Sequence, residues 1–189
     1  MERLGRTLSE VVFTEGPIEQ MLVARFGLDI LKLIKYMHSK NRLYVDIRPD
    51  NFMLNMKEDQ VYCVDFGMGE LFLNPDSTHK SQVSGFRYNK NPIFLSMNCH
   101  SGSNASRRDD IEALLYVLLY MCKGTLPWIE APSYEAGASI KSSMLIGDIC
   151  NGLHPLWEAM LTVIRANDFE TMPPYEWYED QLKIIAGIN

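Results

Sequence analysis

Four side chains in this sequence have the types and spacing for one particular chemistry. Asp46, Arg48 and Asn51 fall within Tyr44-Val45-Asp46-Ile47-Arg48-Pro49-Asp50-Asn51, and Asp65 opens Asp65-Phe66-Gly67 fourteen residues after Asn51. In-line phosphoryl transfer needs little covalent help from a protein. It needs a carboxylate to orient the attacking hydroxyl, hard oxygen ligands for Mg2+, and positive charge near the moving phosphate. Asp46 is the candidate base, Asn51 and Asp65 the candidate metal ligands, and Arg48 the candidate phosphate contact. A lone Asp-Phe-Gly is weak evidence. An Asp and an Asn five apart, followed at hairpin distance by Asp-Phe-Gly, is a specific pattern. The competing reading is a chance run in an Asp-rich surface loop.

The flanking elements must position these groups. Pro17 suits the first turn of a helix. From Ile18 to Met37, apolar residues recur at spacings of three and four, which predicts a helix ending near His38-Ser39-Lys40. Pro49 and Asn51 predict a loop around the candidate base. Phe52-Met53-Leu54 and Val61-Tyr62-Cys63-Val64 read as two strands with a turn at Lys57-Glu58-Asp59. That hairpin would fold Asn51 and Asp65 back together. Residues 66–98 read as a polar, loop-rich stretch. A second helix is predicted from Asp109 or Asp110 to Gly124, apolar nearly all round and so buried. Weaker helices are predicted near 141–150, 155–166 and 175–186. The expected fold class is mainly α, with one hairpin.

Bulk properties narrow the setting. A length of 189 residues suits one domain or one lobe of a larger one. The net charge of −6 argues against nucleic acid or an anionic membrane as the main partner. Cys63, Cys99, Cys122 and Cys150 are far apart in sequence, which fits reduced thiols better than a disulfide framework or zinc site. No apolar run is long enough to cross a membrane. An intracellular location, cytoplasmic or nuclear, is expected. Trp128, Trp157 and Trp177 read as packing residues, the eleven methionines as core filler, and the four histidines show no metal-ligand spacing.

The motifs together resemble the casein kinase I group of protein kinases, which includes the vaccinia-related kinases. Tyr36-Met37-His38-Ser39-Lys40-Asn41 is similar to that group's run before its catalytic loop, and Pro49-Asp50-Asn51-Phe52 to the end of that loop. Ser96-Met97-Asn98 resembles the group's Ser-Ile-Asn. Ser106-Arg107-Arg108-Asp109-Asp110-Ile111-Glu112 resembles its central-helix signature. Gly124-Thr125-Leu126-Pro127-Trp128 and Pro174-Tyr175 are similar to later anchors, and Met1-Glu2-Arg3-Leu4-Gly5 resembles the hinge between the two lobes. The resemblance implies a helical C-terminal lobe spanning 1–189: a hinge-like start at 1–5, a catalytic loop at 42–51, an activation segment at 65–98 and a central helix at 109–123. It implies serine/threonine phosphorylation of a protein substrate with Mg2+ and ATP. It also implies that Asp110 hydrogen-bonds the backbone of the catalytic loop; a plain helix N-cap is the alternative. Arg107 and Arg108 read as a solvated pair, or as an ion network with Asp109 and Glu112, beside an anion-binding role.

The departures from that pattern are specific. Tyr44-Val45 stands where the group has His-Arg, and Tyr44 could fill the histidine's space with different polarity. Arg48 replaces a lysine, a broad planar fork in place of a point charge. The Gly-Thr pair before the substrate-docking turn falls at Lys90-Asn91, and an arginine that binds phosphorylated substrates falls at Ile93. No Gly-rich loop and no strand lysine for ATP phosphates occurs in these residues, so the N-terminal lobe is expected to be absent. Two readings follow: a kinase whose ATP-gripping lobe is missing, inactive as this chain alone, or a pseudokinase-like protein-binding module whose exposed face meets a partner.

Overall fold

The structure is a computed structural model that describes residues 3–65, 67, 69–88 and 92–188. Helix α1 (Leu8–Glu15) opens the chain and α2 (Gln20–Ser39) follows. The strands β1 (Arg42–Leu43), β2 (Phe52–Leu54), β3 (Val61–Cys63) and β4 (Glu70–Leu71) surround the candidate site. Then come α3 (Met97–His100), α4 (Arg107–Lys123), α5 (Tyr134–Ser143), α6 (Ile146–Ile149), α7 (Pro155–Arg165) and α8 (Tyr175–Ala186). The architecture is mainly helical, as its apolar periodicities predict. The start of the hinge-like segment (Met1 and Glu2), together with Phe66 and Lys90-Asn91, lies outside the described residues.

Helix α4 is the hub. Leu114, Leu115, Val117, Leu118, Leu119 and Met121 are all buried, and the helix packs against α2 and α7. It has no polar face over most of its length because neighbours cover it on all sides. Its approach to α2 is close: a Cβ at Gly27 would lie 2.8 Å from Leu118 Cδ1. Gly124 ends α4 in the left-handed region, at φ 72°, where glycine carries no Cβ penalty. Helix α4 begins earlier than predicted, at Arg107. The Ser106 N–H and hydroxyl both donate to Asp109 Oδ2, at 2.7 and 3.1 Å, so Asp109 serves the cap rather than standing at the first helical position.

The structure corrects several other expectations. Helix α1 was not anticipated, although Thr7 and Glu10 form a capping box that marks its start: Thr7 Oγ1 accepts from the Glu10 N–H at 3.1 Å, and the Thr7 N–H donates to Glu10 Oε2 at 2.8 Å. Helix α2 starts at Gln20 rather than Pro17. The helix expected at 141–150 is split into α5 and α6, because Ser133 caps an earlier start by accepting from the Ala136 N–H at 3.1 Å. The β2–β3 hairpin pairs Phe52 with Cys63, Met53 with Tyr62 and Leu54 with Val61. A second pairing, Arg42 with Leu71 and Leu43 with Glu70, joins strands too short for periodicity to reveal. Met37, Met121 and Met160 are in the core, but Met21, Met56 and Met172 are exposed, so core filler describes only some of the methionines.

Candidate active site

The candidate site grows from the turn at Val45. The Asp46 N–H donates to the Tyr44 carbonyl at 2.8 Å, closing a three-residue turn around Val45, whose φ is 67°. A β-branched residue in that region is strained and needs strong outside support. Asp110 supplies it from α4. Its Oδ2 accepts the Tyr44 N–H at 2.7 Å and its Oδ1 accepts the Val45 N–H at 2.9 Å. His38 Nε2 lies 2.9 Å from Asp110 Oδ2, and His38 Nδ1 lies 2.6 Å from the Tyr175 hydroxyl. A buried chain of polar groups from α2, α4 and α8 therefore meets at the loop. Asp110 is not the N-cap of α4; Ser106 holds that place.

This frame sets the acidic groups. Asn51 Nδ2 donates to the Asp46 carbonyl at 2.8 Å and to Asp46 Oδ2 at 3.1 Å. Those bonds turn the amide nitrogen toward Asp46 and the amide oxygen away from it. The Val64 N–H donates to the Asn51 carbonyl at 2.9 Å, so the two ends of the hairpin meet as the spacing predicts. Asp65 follows directly, exposed and with φ 62°, and its Oδ1 accepts the Gly67 N–H at 3.1 Å. Arg48 Nε lies 3.6 Å from Asp46 Oδ2. Tyr44 is fully buried, and its hydroxyl donates to the carbonyls of Val64 and Asp65 at 2.8 and 3.2 Å. Burial, before any neighbour, raises the Tyr44 pKa, so the hydroxyl stays a donor. The same burial pushes the nearby Cys63 thiol up to about 11.

A magnesium ion would fit this donor set. Among the described residues no three His, Cys, Asp or Glu side chains converge into a metal cage. Mg2+ does not ask for one, since it takes one or two protein oxygens and completes its shell with phosphates and water. The Asn51 amide oxygen and the Asp65 carboxylate are oxygens of that kind.

Several buried polar contacts had no clear sequence signal. Arg108 is buried, donates to the Asn167 carbonyl at 2.7 Å and lies 5.7 Å from the Phe169 ring centre; Arg107 bonds the Glu170 carbonyl and lies 4.8 Å from the Phe72 ring centre. Neither is a solvated pair; both tie α4 to the chain before α8, and Arg108 Nε lies 3.8 Å from Asp109 Oδ2, the Asp109 half of the expected ion network. Glu112 instead pairs with Arg165 of α7 at 3.3 Å, and its Oε1 also accepts from the Met97 N–H and the Tyr116 hydroxyl. Asp109 accepts from Ser96 Oγ at 2.6 Å, and burial pushes its pKa up to about 6. Concavity alone would misplace the site. A groove of about 550 Å³ between α2 and α8 is lined by Asp29, Lys32, Lys35, Tyr36 and Lys183 among others and includes none of the four candidate residues.

Comparisons with known proteins show the family. Residues 1–169 match the model of the protein kinase domain. A protein named "Probable casein kinase I homolog" from Encephalitozoon cuniculi is 37% identical over 171 residues, covering 86% of this chain and 54% of the relative. Casein kinase I homolog 2 of Schizosaccharomyces pombe is 32% identical over 188 residues, covering 88% of this chain and 42% of the relative. A second E. cuniculi homolog is 27% identical, over 94% of this chain and 61% of its own length. The chain belongs to the protein kinase family. Within it, the chain falls in the casein kinase I-like group. It spans about half the length of the curated relatives it matches.

Proposed function

We propose that this chain carries the base and metal-ligand half of a serine/threonine protein kinase site. The carrying observation is the Asn51 amide, whose nitrogen donates to Asp46 while its oxygen faces away, with the Asn51 carbonyl accepting from the N–H of Val64, the residue before Asp65. In this reading Asp46 accepts the hydrogen bond of a protein Ser or Thr hydroxyl and holds it in line. Asn51 and Asp65 hold Mg2+. Arg48 neutralises charge on the transferred phosphate, and Asp110 keeps the loop in shape. Bound magnesium-ATP supplies the phosphoryl group and the metal's charge. We assign residues 1–189 to the C-terminal lobe and expect a protein substrate or partner in an intracellular compartment, not nucleic acid or membrane. Among the described residues no helix is long and apolar enough to cross a membrane.

These residues include no glycine-rich loop and no strand lysine to grip ATP phosphates. Losing one oriented charge at such a site commonly costs several orders of magnitude in rate. We therefore expect negligible phosphotransfer from this polypeptide by itself. An assay with casein and magnesium-ATP checks it: turnover on the order of one per second would overturn the inactivity. Magnesium-ATP should still raise the melting temperature through Asn51 and Asp65, and Asp65→Asn should abolish that shift.

The second reading is a pseudokinase-like protein-binding module. Tyr44 and Val45 favour it, since the Tyr44 hydroxyl is spent on the Val64 and Asp65 carbonyls and Val45 is buried. No thermal shift at millimolar magnesium-ATP would favour this reading over the first.

A further inference from the structure

Several cations of this chain are spent on fixed partners. Arg6 pairs with Glu15 and Glu58 at 2.6 and 2.7 Å, and Arg165 with Glu112 at 3.3 Å. Lys141, wholly buried on α5, donates to the Pro92 and Leu95 carbonyls at 2.7 and 2.6 Å. Lys32 of α2, Lys40 at its C-cap and Arg42 of β1 are different. All three are exposed, and among the described residues none has a carboxylate at ion-pair distance.

These charges border two grooves that share Tyr36: the one of about 550 Å³ between α2 and α8, and a second of about 480 Å³ that includes Lys40 and Arg42. The two therefore run together along α2. Leu28 gives the first an apolar floor and Leu33 the second. Tyr36 is 63% exposed, with the Lys40 ammonium 5.4 Å from its ring centre. The acids of the first groove are already engaged. Glu179 pairs with Lys183 at 2.9 Å, and Asp29 accepts the Val61 N–H at 3.2 Å, reaching Lys32 only at longer range. Lys32 and Lys40 are thus left to meet charge from outside.

Their spacing is regular. Lys32, Tyr36 and Lys40 stand at i, i+4 and i+8, one face of the helix, with steps of about 6 Å along its axis. An extended peptide turns alternate side chains to one face, about 6.6 Å apart. The two repeats match, so three alternate residues of a strand-like segment can meet the three helix positions in turn.

We propose that this track is a docking surface for an extended acidic segment of a partner protein, with Asp or Glu at two positions four apart and an aromatic or aliphatic side chain midway. The carboxylates meet Lys32 and Lys40, with Arg42 beside the second, and the midway side chain lies on Tyr36. Charge selects this class of occupant. The whole chain carries a net charge of −6, which repels a bilayer or nucleic acid that presents negative charge over a broad area. A short segment feels chiefly the track, because salt screens exposed charges beyond about 8 Å at physiological strength. Neither groove includes Asp46, Arg48, Asn51 or Asp65, so the proposal stands apart from the kinase reading.

The test titrates the 189-residue chain with a fluorescein-labelled peptide, Gly-Glu-Ala-Phe-Ala-Glu-Gly, at low salt. One control has both Glu as Gln, and a second, Gly-Glu-Glu-Phe-Ala-Ala-Gly, keeps the charge and changes the spacing. Binding is read by fluorescence anisotropy and by the NMR signals of α2. The acidic peptide should move the Lys32, Tyr36 and Lys40 signals saturably, bind at least about tenfold more tightly than the Gln control, and weaken as salt is raised. The respaced peptide should bind less tightly than the first. Lys32→Glu combined with Lys40→Glu should weaken the acidic peptide at least about tenfold at unchanged helical content, since both side chains are exposed. Tyr36→Ala should weaken the acidic peptide and the Gln control by a similar factor. Native affinity in the charge-reversed variant, equal affinity for all three peptides, or unmoved α2 signals overturns the docking surface. Sedimentation with phosphatidylserine vesicles in place of peptide binding assigns the track to a lipid surface, and a dimer that charge reversal dissolves assigns it to a second copy. Either result overturns the proposal.

Discussion

The loop around Asp46 and the segment from Asn74 to Tyr88 are both irregular chain, yet one is held by buried polar groups and the other mostly by exposed ones. At the loop, the backbone amides of Tyr44 and Val45 end on one buried carboxylate, Asp110, which His38 links to Tyr175. Three helices far apart in sequence supply those groups. At the start of the segment the bonds are local: the Asn74 N–H donates to the Thr78 carbonyl, and Thr78 donates to Asp76 through both its N–H and its hydroxyl; further on, the Val83 N–H donates to Asn104 Oδ1 at 2.8 Å and the Phe86 N–H to the Gly102 carbonyl at 2.9 Å. Most of its side chains are exposed. The difference teaches where shape is enforced. The loop that bears the chemistry is over-determined by buried polar contacts, which lets Val45 sit at a positive φ. The segment that faces solvent is held by scattered, mostly exposed bonds, with no buried carboxylate gathering them.

Removing Asp110 should break the comparison most directly. Asp110→Ala strands two buried amides and His38, and should cost about 3–5 kcal/mol in stability by chemical denaturation. A loss below about 1 kcal/mol would show that the loop holds itself.

Lys141 extends the same kind of hold to Pro92 and Leu95, and its effect should depend on pH. Burial lowers its folded-state pKa to about 7, against 10.5 for the free side chain. A depressed folded pKa means the contribution is fully present above about 10.5 and is lost as pH falls toward and through about 7. Lys141→Met should flatten the fall in stability between pH 10 and pH 6, and should speed amide exchange at Leu95 and Ser96. The charges facing Lys141 are Glu112 of α4 and Arg165 of α7, an opposed pair; the Cys99 thiol of α3 is held neutral by burial. A variant with the native pH slope would show that another group sets it.

Backbone strain provides a smaller test. Val45→Gly loses buried contact but relieves an unfavourable φ, so it should fall within about 1 kcal/mol of the native chain. Val117→Ala, in an unstrained and fully buried helix, should cost about 2 kcal/mol. Equal costs would mean that Val45 carries no strain. The smallest effect belongs to the solvent-facing segment: Val83→Ser should change stability by less than about 0.5 kcal/mol. Limited proteolysis should cut within 74–88 before it cuts the loop at 44–51.

Much of this was legible because the signals are local. The apolar periods of α2, α4, α7 and α8, the hairpin between Asn51 and Asp65, and the order of Asp46, Asn51 and Asp65 each lie within a short window of sequence. Helix α1 was equally legible through Thr7 and Glu10, but its apolar face is too short to stand out by period. The β1–β4 pairing was not legible, since two-residue strands have no alternation to read. The burial of Lys141 carries no sequence signal; only the carbonyls of Pro92 and Leu95 give a lysine there a reason to be buried.

By itself the sequence determined the mainly helical fold, the family, and which residue types could serve a phosphoryl-transfer site. The tertiary structure decided which groups those residues meet. Asp110 reaches the Tyr44 and Val45 amides across more than sixty positions, His38 meets Tyr175 across 137, and Lys141 reaches Pro92 across 49. The physical reason is that helix and hairpin signals arise from neighbours along the chain. A buried hydrogen bond depends on which donors and acceptors packing leaves without water, and that is known only once the helices have met.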